Sequence, residues 1–317
     1  MSDEKSSSGW MPKVIASVFG AVLAPLLVAI GVKYLGPSSP PPTATIVVDA
    51  GKGDTHKEPE APKPPPPLLA FNGKDLTGFY PYTSAGRGSD PKTIFSVVNG
   101  ELHVSGEEPG YLATEKVYSD YNLYVEYRWG KRTWPPRESL SRLVSLVVHA
   151  NGPDDLNQGL VQAFTIRLME GRTGEIFLPR GSPKDLIKGT AKVDPDKLNL
   201  KKNPRAQFLP TGILRPFQPP AVIYQLNHDP DWKDLKGFRA KGEIEKPTGE
   251  WNTLAIFSGK PAAGKTLTGF GVALNGTQVN GLGDVTDYRG KVLIRSHGAE
   301  IIFRRFEIVS RAPPPKK

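Results

Sequence analysis

The 317-residue chain contains no cysteine. That absence removes a disulfide framework, a thiol nucleophile and a thiolate metal site together, and it leaves the redox compartment open. Histidine is scarce too: there are five, and none shows the tight His-x-x-x-His spacing of a helical metal site. His56 lies in a proline-rich stretch and His103 in a hairpin, so His149, His228 and His297, with Asp154, Asp155, Asp229 and Asp231, are the candidate ligands that remain. No stretch has the periodicity of an amphipathic helix, and no internal repeat is visible. Acidic residues fall short of basic ones, 32 against 41, for a formal charge of +9.

Where that charge sits decides what it means. The segment from Lys184 to Pro220 holds eight basic residues, Lys184, Lys188, Lys192, Lys197, Lys201, Lys202, Arg205 and Arg215, against Asp185, Asp194 and Asp196, which is five of the net nine. Six prolines interrupt it, and Phe208 and Phe217 do not form the aromatic series that would stack on bases. It reads as a solvated insertion loop, and nucleic acid is not expected as a partner.

Proline, at 32 residues, is too abundant for one compact fold. Much of it lies between Gly36 and Pro67, where Pro40-Pro41-Pro42 and Pro64-Pro65-Pro66-Pro67 favour extended polyproline II. Ahead of it is the one long apolar run. Val14 to Val32 carries no charge and would span roughly 28 Å as a helix, close to the hydrocarbon thickness of a bilayer. It is longer than a cleavable signal core and continues into Lys33 and Tyr34, an interfacial pairing, so it reads as a retained anchor. Lys5 and Lys13 favour an inside N-terminus. The expected order is a short segment (1–13), a transmembrane helix (14–35), a proline-rich linker (36–67), one domain (68–311) and a tail (312–317), with the domain outside the cytoplasm of a single-pass membrane protein.

The domain reads as all-β. Phe95-Ser96-Val97-Val98 and Glu101-Leu102-His103-Val104 flank Asn99-Gly100, the dipeptide that best tolerates the positive φ of a type I′ turn, and Asn275-Gly276 repeats the signal. Tyr121 to Trp129 alternates, with Leu123, Val125, Tyr127 and Trp129 on one side and Asn122, Tyr124, Glu126 and Arg128 on the other. Leu143 to His149 is apolar at nearly every position, as a strand covered on both faces would be. Ala163 to Glu170 places Phe164, Ile166 and Leu168 opposite Thr165, Arg167 and Met169. More than ten such short strands argue for a β-sandwich.

Several stretches in order carry a resemblance: Ala70-Phe71-Asn72-Gly73-Lys74-Asp75-Leu76-Thr77-Gly78-Phe79, Val147-Val148-His149-Ala150-Asn151-Gly152-Pro153-Asp154, Leu168-Met169-Glu170-Gly171-Arg172-Thr173-Gly174-Glu175, Gly249-Glu250-Trp251-Asn252 and Gly290-Lys291-Val292-Leu293-Ile294-Arg295-Ser296. From about Leu68 to Ile308 the chain resembles the 3-keto-disaccharide hydrolase family. The resemblance implies a jelly-roll, concanavalin-like β-sandwich acting on an oxidised di- or oligosaccharide. A ketone at sugar carbon 3 acidifies the hydrogen at carbon 2, a base removes it, the enolate is stabilised, and the glycosidic oxygen leaves before water adds. Glu126, His149, Arg167 and His297 are then the catalytic candidates. His149 or Glu126 would be the base, Arg167 and Arg304 the enolate stabilisers, and His297 would assist departure or help bind a metal. Tyr124, Arg128, Thr165, Arg295 and Arg304 would bind substrate on the same concave sheet face. No particular cofactor is implied, and a divalent metal could serve the enolate chemistry.

Other roles are open at the same positions. A Glu-x-Arg on an exposed strand makes cross-strand ion pairs, His149 could cap a strand, Arg304 could be a buried structural arginine, and Trp251 reads as core. The chain also departs from the family pattern, with Thr165-Ile166-Arg167 where members commonly show Glu-x-Gln. That exchange favours a non-catalytic glycan-binding module as the alternative.

Overall fold

The computed structural model describes residues 66–156, 162–178, 189–200, 204–218, 220–259, 269–285 and 289–311. The expected helix at 14–35, the linker up to residue 65 and the tail lie outside them. Among the described residues no helix is long and apolar enough to cross a membrane.

The first strands are β1 (Leu69–Ala70), β2 (Phe79–Thr83), β3 (Gly86–Arg87), β4 (Phe95–Val98), β5 (Glu101–Val104), β6 (Gly110–Thr114) and β7 (Tyr121–Thr133). The middle of the chain forms β8 (Leu143–Asn151), β9 (Gln162–Met169), β10 (Glu175–Leu178), β11 (Gly189–Val193), β12 (Arg205–Gln207), β13 (Ile213–Phe217) and β14 (Ala221–Tyr224). The last five are β15 (Asn252–Gly259), β16 (Gly269–Leu274), β17 (Thr277–Gly283), β18 (Lys291–Ser296) and β19 (Ala299–Ser310). They form two sheets. A front sheet runs β13-β11-β17-β16-β15-β7-β19-β5-β4, with β1 beside β19, and a back sheet runs β12-β14-β10-β9-β8-β18-β6-β2-β3. Pairing is antiparallel except between β12 and β14, and the chain repeatedly crosses between sheets, as from β7 to β8 and from β18 to β19. This is an all-β sandwich, as the alternation predicts.

Both Asn-Gly hairpins form. Asn99 and Gly100 have φ of 52° and 82°, and Asn275 and Gly276 have 48° and 83°. One core fills the space between the sheets, taking Leu123, Val125, Tyr127 and Trp129 from the front and Val144, Leu146, Val148, Phe164, Ile166 and Leu168 from the back. Each such side chain contributes roughly 2 kcal/mol through the apolar surface it removes from water. The intervening residues of β7 and β9 therefore face outward on opposite sides of the molecule.

His149 departs from the expected strand-end position. The pairing of β8 with β9 and β18 slips around it, and its φ of 55° makes it the bulged residue of β8. Gly290 permits the bulge, since a Cβ there would stand 2.3 Å from the His149 carbonyl carbon. The bulge turns the imidazole inward, edge-on to Tyr121, Phe164 and Phe270, with Nε2 2.7 Å from Ser258 Oγ.

The basic segment is also not a solvated loop. Residues 189–193, 205–207, 213–217 and 221–224 are strands that extend both sheets. Alternating positions explain this, because Ala191, Val193, Ala206, Phe208 and Phe217 enter the core while Lys192, Arg205 and Arg215 meet solvent.

Candidate functional site

Register across the back sheet draws six side chains into one outward-facing row. Glu175 pairs with Arg167, Arg167 with Ser145, Ser145 with Arg295, Arg295 with Tyr111, and Tyr111 with Tyr82. Directly opposed residues of neighbouring strands share a face, so Arg167 and Arg295 stand two strands apart over the small Ser145. The adjoining row, Phe177, Thr165, Val147, Leu293, Ala113 and Tyr80, is mostly apolar.

His297 follows Arg295 by two positions and joins this face, half-buried. Burial, reinforced by the positive charges of Arg295, Arg167 and Arg137, pushes its imidazole down to about 3, so it is neutral at pH 7 with one nitrogen free to accept and one to donate.

The two ends of the face differ. At one end the segment after β8 folds over the sheet. Tyr80 and Tyr111 each donate a hydroxyl to Asp154 at 2.8 Å, Lys291 Nζ donates to Tyr80 Oη at 2.8 Å, and Arg295 Nη2 donates to the Leu156 carbonyl at 2.6 Å. At the other end the face opens into a cleft of about 330 Å³ over β9, β10, β12 and β14, lined by Arg167, Arg172, Arg205, Phe177 and Tyr224 among others.

Glu175 meets two of these arginines and is fully buried. It accepts two bonds from the fork of Arg172, at 2.6 and 2.8 Å, and lies 3.8 Å from Arg167 Nη1. Burial pushes the Glu175 carboxyl up, against the pull of Arg172 and then Arg167. Burial lowers Arg167 as well, though a guanidinium keeps its proton. His228 stacks on Tyr224 at 4.1 Å and is held down to about 4, by burial first and Arg172 second.

The turn that delivers Arg172 is itself pinned. Glu245 accepts from Trp129 Nε1 at 2.9 Å, Thr173 Oγ1 at 3.0 Å and Gly171 N at 3.3 Å, and Glu170 pairs with Arg142 at 2.8 Å. Gly171, at φ 79°, lets Trp232 close over the turn, where a Cβ would meet its indole nitrogen at 2.8 Å. Trp232 and Tyr224 in turn flank the Arg172 guanidinium at 4.4 and 5.0 Å.

The nine residues expected on one concave face are therefore divided. Arg167, Thr165, Arg295 and His297 share the outer back sheet. Tyr124, Glu126, Arg128 and Arg304 lie on the outer front sheet, on the far side of the core. There Arg304 Nε meets Glu126 at 2.6 Å, Arg128 meets Glu101 at 2.8 Å, and Tyr124 stands edge-on to Phe257. Arg304 is exposed rather than a buried structural arginine, and Trp251 is half-buried on the outer face beneath Arg128 and Arg304 rather than in the core. His149 lies between the sheets and reaches neither face. Glu175, Arg172, Arg205, Ser145 and Tyr224 are not among the site residues expected from sequence. The glycines at 171 and 174 bracket the tight turn that sets Glu175 opposite Arg167, and that turn was the available signal. Among the described residues no three His, Asp or Glu side chains gather as metal ligands, so this donor set does not fit a divalent cation.

The model of the 3-keto-alpha-glucoside-1,2-lyase-like domain matches residues 68–309, the whole sandwich. The chain belongs to that family. Membership makes the domain carbohydrate-active in the glycosidase manner or carbohydrate-binding. No curated protein matches the chain. Solved structures with some likeness include a candidate glycosyl hydrolase from Parabacteroides distasonis, at 14% identity over 76% of this chain and 98% of that one, with a TM-score of 0.41. LamAcat from Zobellia galactanivorans gives 8%, 77%, 97% and 0.42, and the carbohydrate-binding module CBM66 from Bacillus subtilis gives 9%, 76%, 97% and 0.35. Likenesses this distant transfer neither ligand nor activity.

Proposed function

We propose that this member of the 3-keto-glucoside-lyase-like family captures an oxidised saccharide on the outer face of its back sheet. We also propose that Val14–Val32 tethers it to a membrane with the domain outside the cytoplasm. The row Arg167, Ser145, Arg295 carries the ligand reading. Two arginines whose backbones stand about 10 Å apart, from two strand spacings, can address different oxygens of one disaccharide while Ser145 leaves room between them. Arg295 has donors left after serving the Leu156 carbonyl, and neutral His297 can both donate to and accept from sugar hydroxyls.

Turnover is the second reading, and His297 favours it. A base would take the proton at carbon 2 of a 3-keto-glycoside, Arg295 would hold the enolate oxygen while Arg167 holds another oxygen of the substrate, and the carbon 1 to oxygen bond would break with its electron pair leaving on the glycosidic oxygen. Water would then add across the unsaturated product. An unprotonated imidazole beside two guanidiniums can polarise the ketone through its N–H. A base held near pKa 3 removes such a proton poorly, and Glu126 and His149 point elsewhere, so capture is the better-supported function.

Incubating the full chain with a 3-keto-glucoside, with and without chelator, separates the two readings by calorimetry and aglycone release. Capture predicts binding without release, weakened at least tenfold by Arg295→Ala. Release that disappears in His297→Ala would establish turnover, and no binding at all would end both. The tether predicts that protease added to intact cells removes the domain.

A further inference from the structure

We propose that the back-sheet cleft selects a saccharide bearing negative charge, a carboxylate or a sulfate ester, on the sugar unit next to the one held at Arg167 and Arg295. The inference deepens the saccharide reading and rests on it. Three guanidiniums, Arg167, Arg172 and Arg205, line the cleft, and Glu175 is the carboxylate that meets the first two. Arg172 commits its fork to Glu175, Arg167 approaches the same group only at 3.8 Å, and exposed Arg205 makes no ion pair among the described residues. One negative charge against three leaves two positive charges in a partly enclosed cleft, where charge interactions are stronger than in bulk water.

A neutral sugar can occupy those donors without neutralising them. A carboxylate or sulfate can do both, through the paired bonds that a guanidinium fork is shaped to make. The donors are also restrained in advance. Phe177 lies 4.5 Å from the Arg167 guanidinium and Tyr224 lies 5.0 Å from that of Arg172, which lowers the ordering cost of binding. The same contacts argue against nucleic acid, because the ring faces that would stack on bases are already covered by arginines.

The test titrates the full chain with trigalacturonate, a sulfated trisaccharide and maltotriose, at low and physiological salt. At least one acidic trimer should bind about tenfold tighter than maltotriose, with a gap that narrows as salt rises, and the tighter of the two identifies the anion. Arg205→Gln should cut that gap about fivefold without shifting thermal unfolding, since the side chain is exposed, and Arg205→Lys should restore part of it. Equal affinity for all three sugars, with Arg295→Ala still weakening each, would overturn the charge preference and leave saccharide capture standing. Failure of every trimer to bind while the 3-keto-glucoside binds would overturn the charge preference alone, and failure of the 3-keto-glucoside as well would sink both. Equally tight binding of a single-stranded oligonucleotide would overturn the proposal by reducing the cleft to a general polyanion site.

Discussion

The outer faces of the two sheets are made from the same kinds of residue and reach opposite outcomes. On the front, three arginines stand beside carboxylates near solvent: Arg128 with Glu101, Arg304 with Glu126, Arg305 with Glu307. Those charges cancel, and Trp251 lies under two of the arginines instead of offering its ring to a ligand. On the back, Arg167 and Arg172 share one buried carboxylate, Arg295 has a backbone carbonyl, and Arg205 is left over. Charge that is balanced near solvent is ordinary solvation. Charge that is unbalanced beside a cleft is a place for an oxygen-rich ligand.

Removing one carboxylate from each face is the sharpest way to break this contrast. Glu175→Ala strands two partly buried guanidiniums and should cost about 3–5 kcal/mol in urea unfolding, the scale for breaking a buried pair. A loss below about 1 kcal/mol would put the two faces on the same footing.

Between the faces, His149 should govern part of the acid response. An unfolded histidine takes up a proton below about pH 6.5, whereas burial pushes the folded His149 down to about 3. The unfolded chain therefore binds more protons across that window, and stability falls as pH drops through it, by about 1.4 kcal/mol per pH unit for one such group. His297 adds a similar contribution in the same direction. His149→Asn tolerates the positive φ and should flatten the slope by about one proton, and an unchanged slope would mean that the ring is hydrated in solution.

The smallest effect is expected at the front. Glu126→Ala removes a solvent-screened partner of Arg304 and should change stability by less than about 1 kcal/mol, with saccharide affinity unaltered. A substantial loss of binding would return the front face to the site and undo the comparison.

Much of the local structure was legible in the chain. The Asn-Gly hairpins, the alternation of β7 and β9 and the double coverage of β8 all follow from φ preference and side-chain period. The site was half legible. Arg167, Thr165, Arg295 and His297 were chosen because they alternate with core residues, and they do share a face. Tyr124, Glu126, Arg128 and Arg304 were chosen by the same rule and lie on the other side, because alternation says that a residue points away from the core and not which sheet carries it. The basic segment misled for a related reason, since its prolines and lysines hide strands of only three to five residues.

Sequence alone determined the all-β class, the hairpin turns and the family, because these depend on interactions within a few residues or on motifs in order. Only the tertiary structure decided which strands lie side by side. Pairing between distant segments placed Arg295 against Ser145 and Tyr111, while the β8 bulge drew His149 into the core. Register is a non-local choice, made by burying the largest common apolar surface, and a period of two residues carries no record of it.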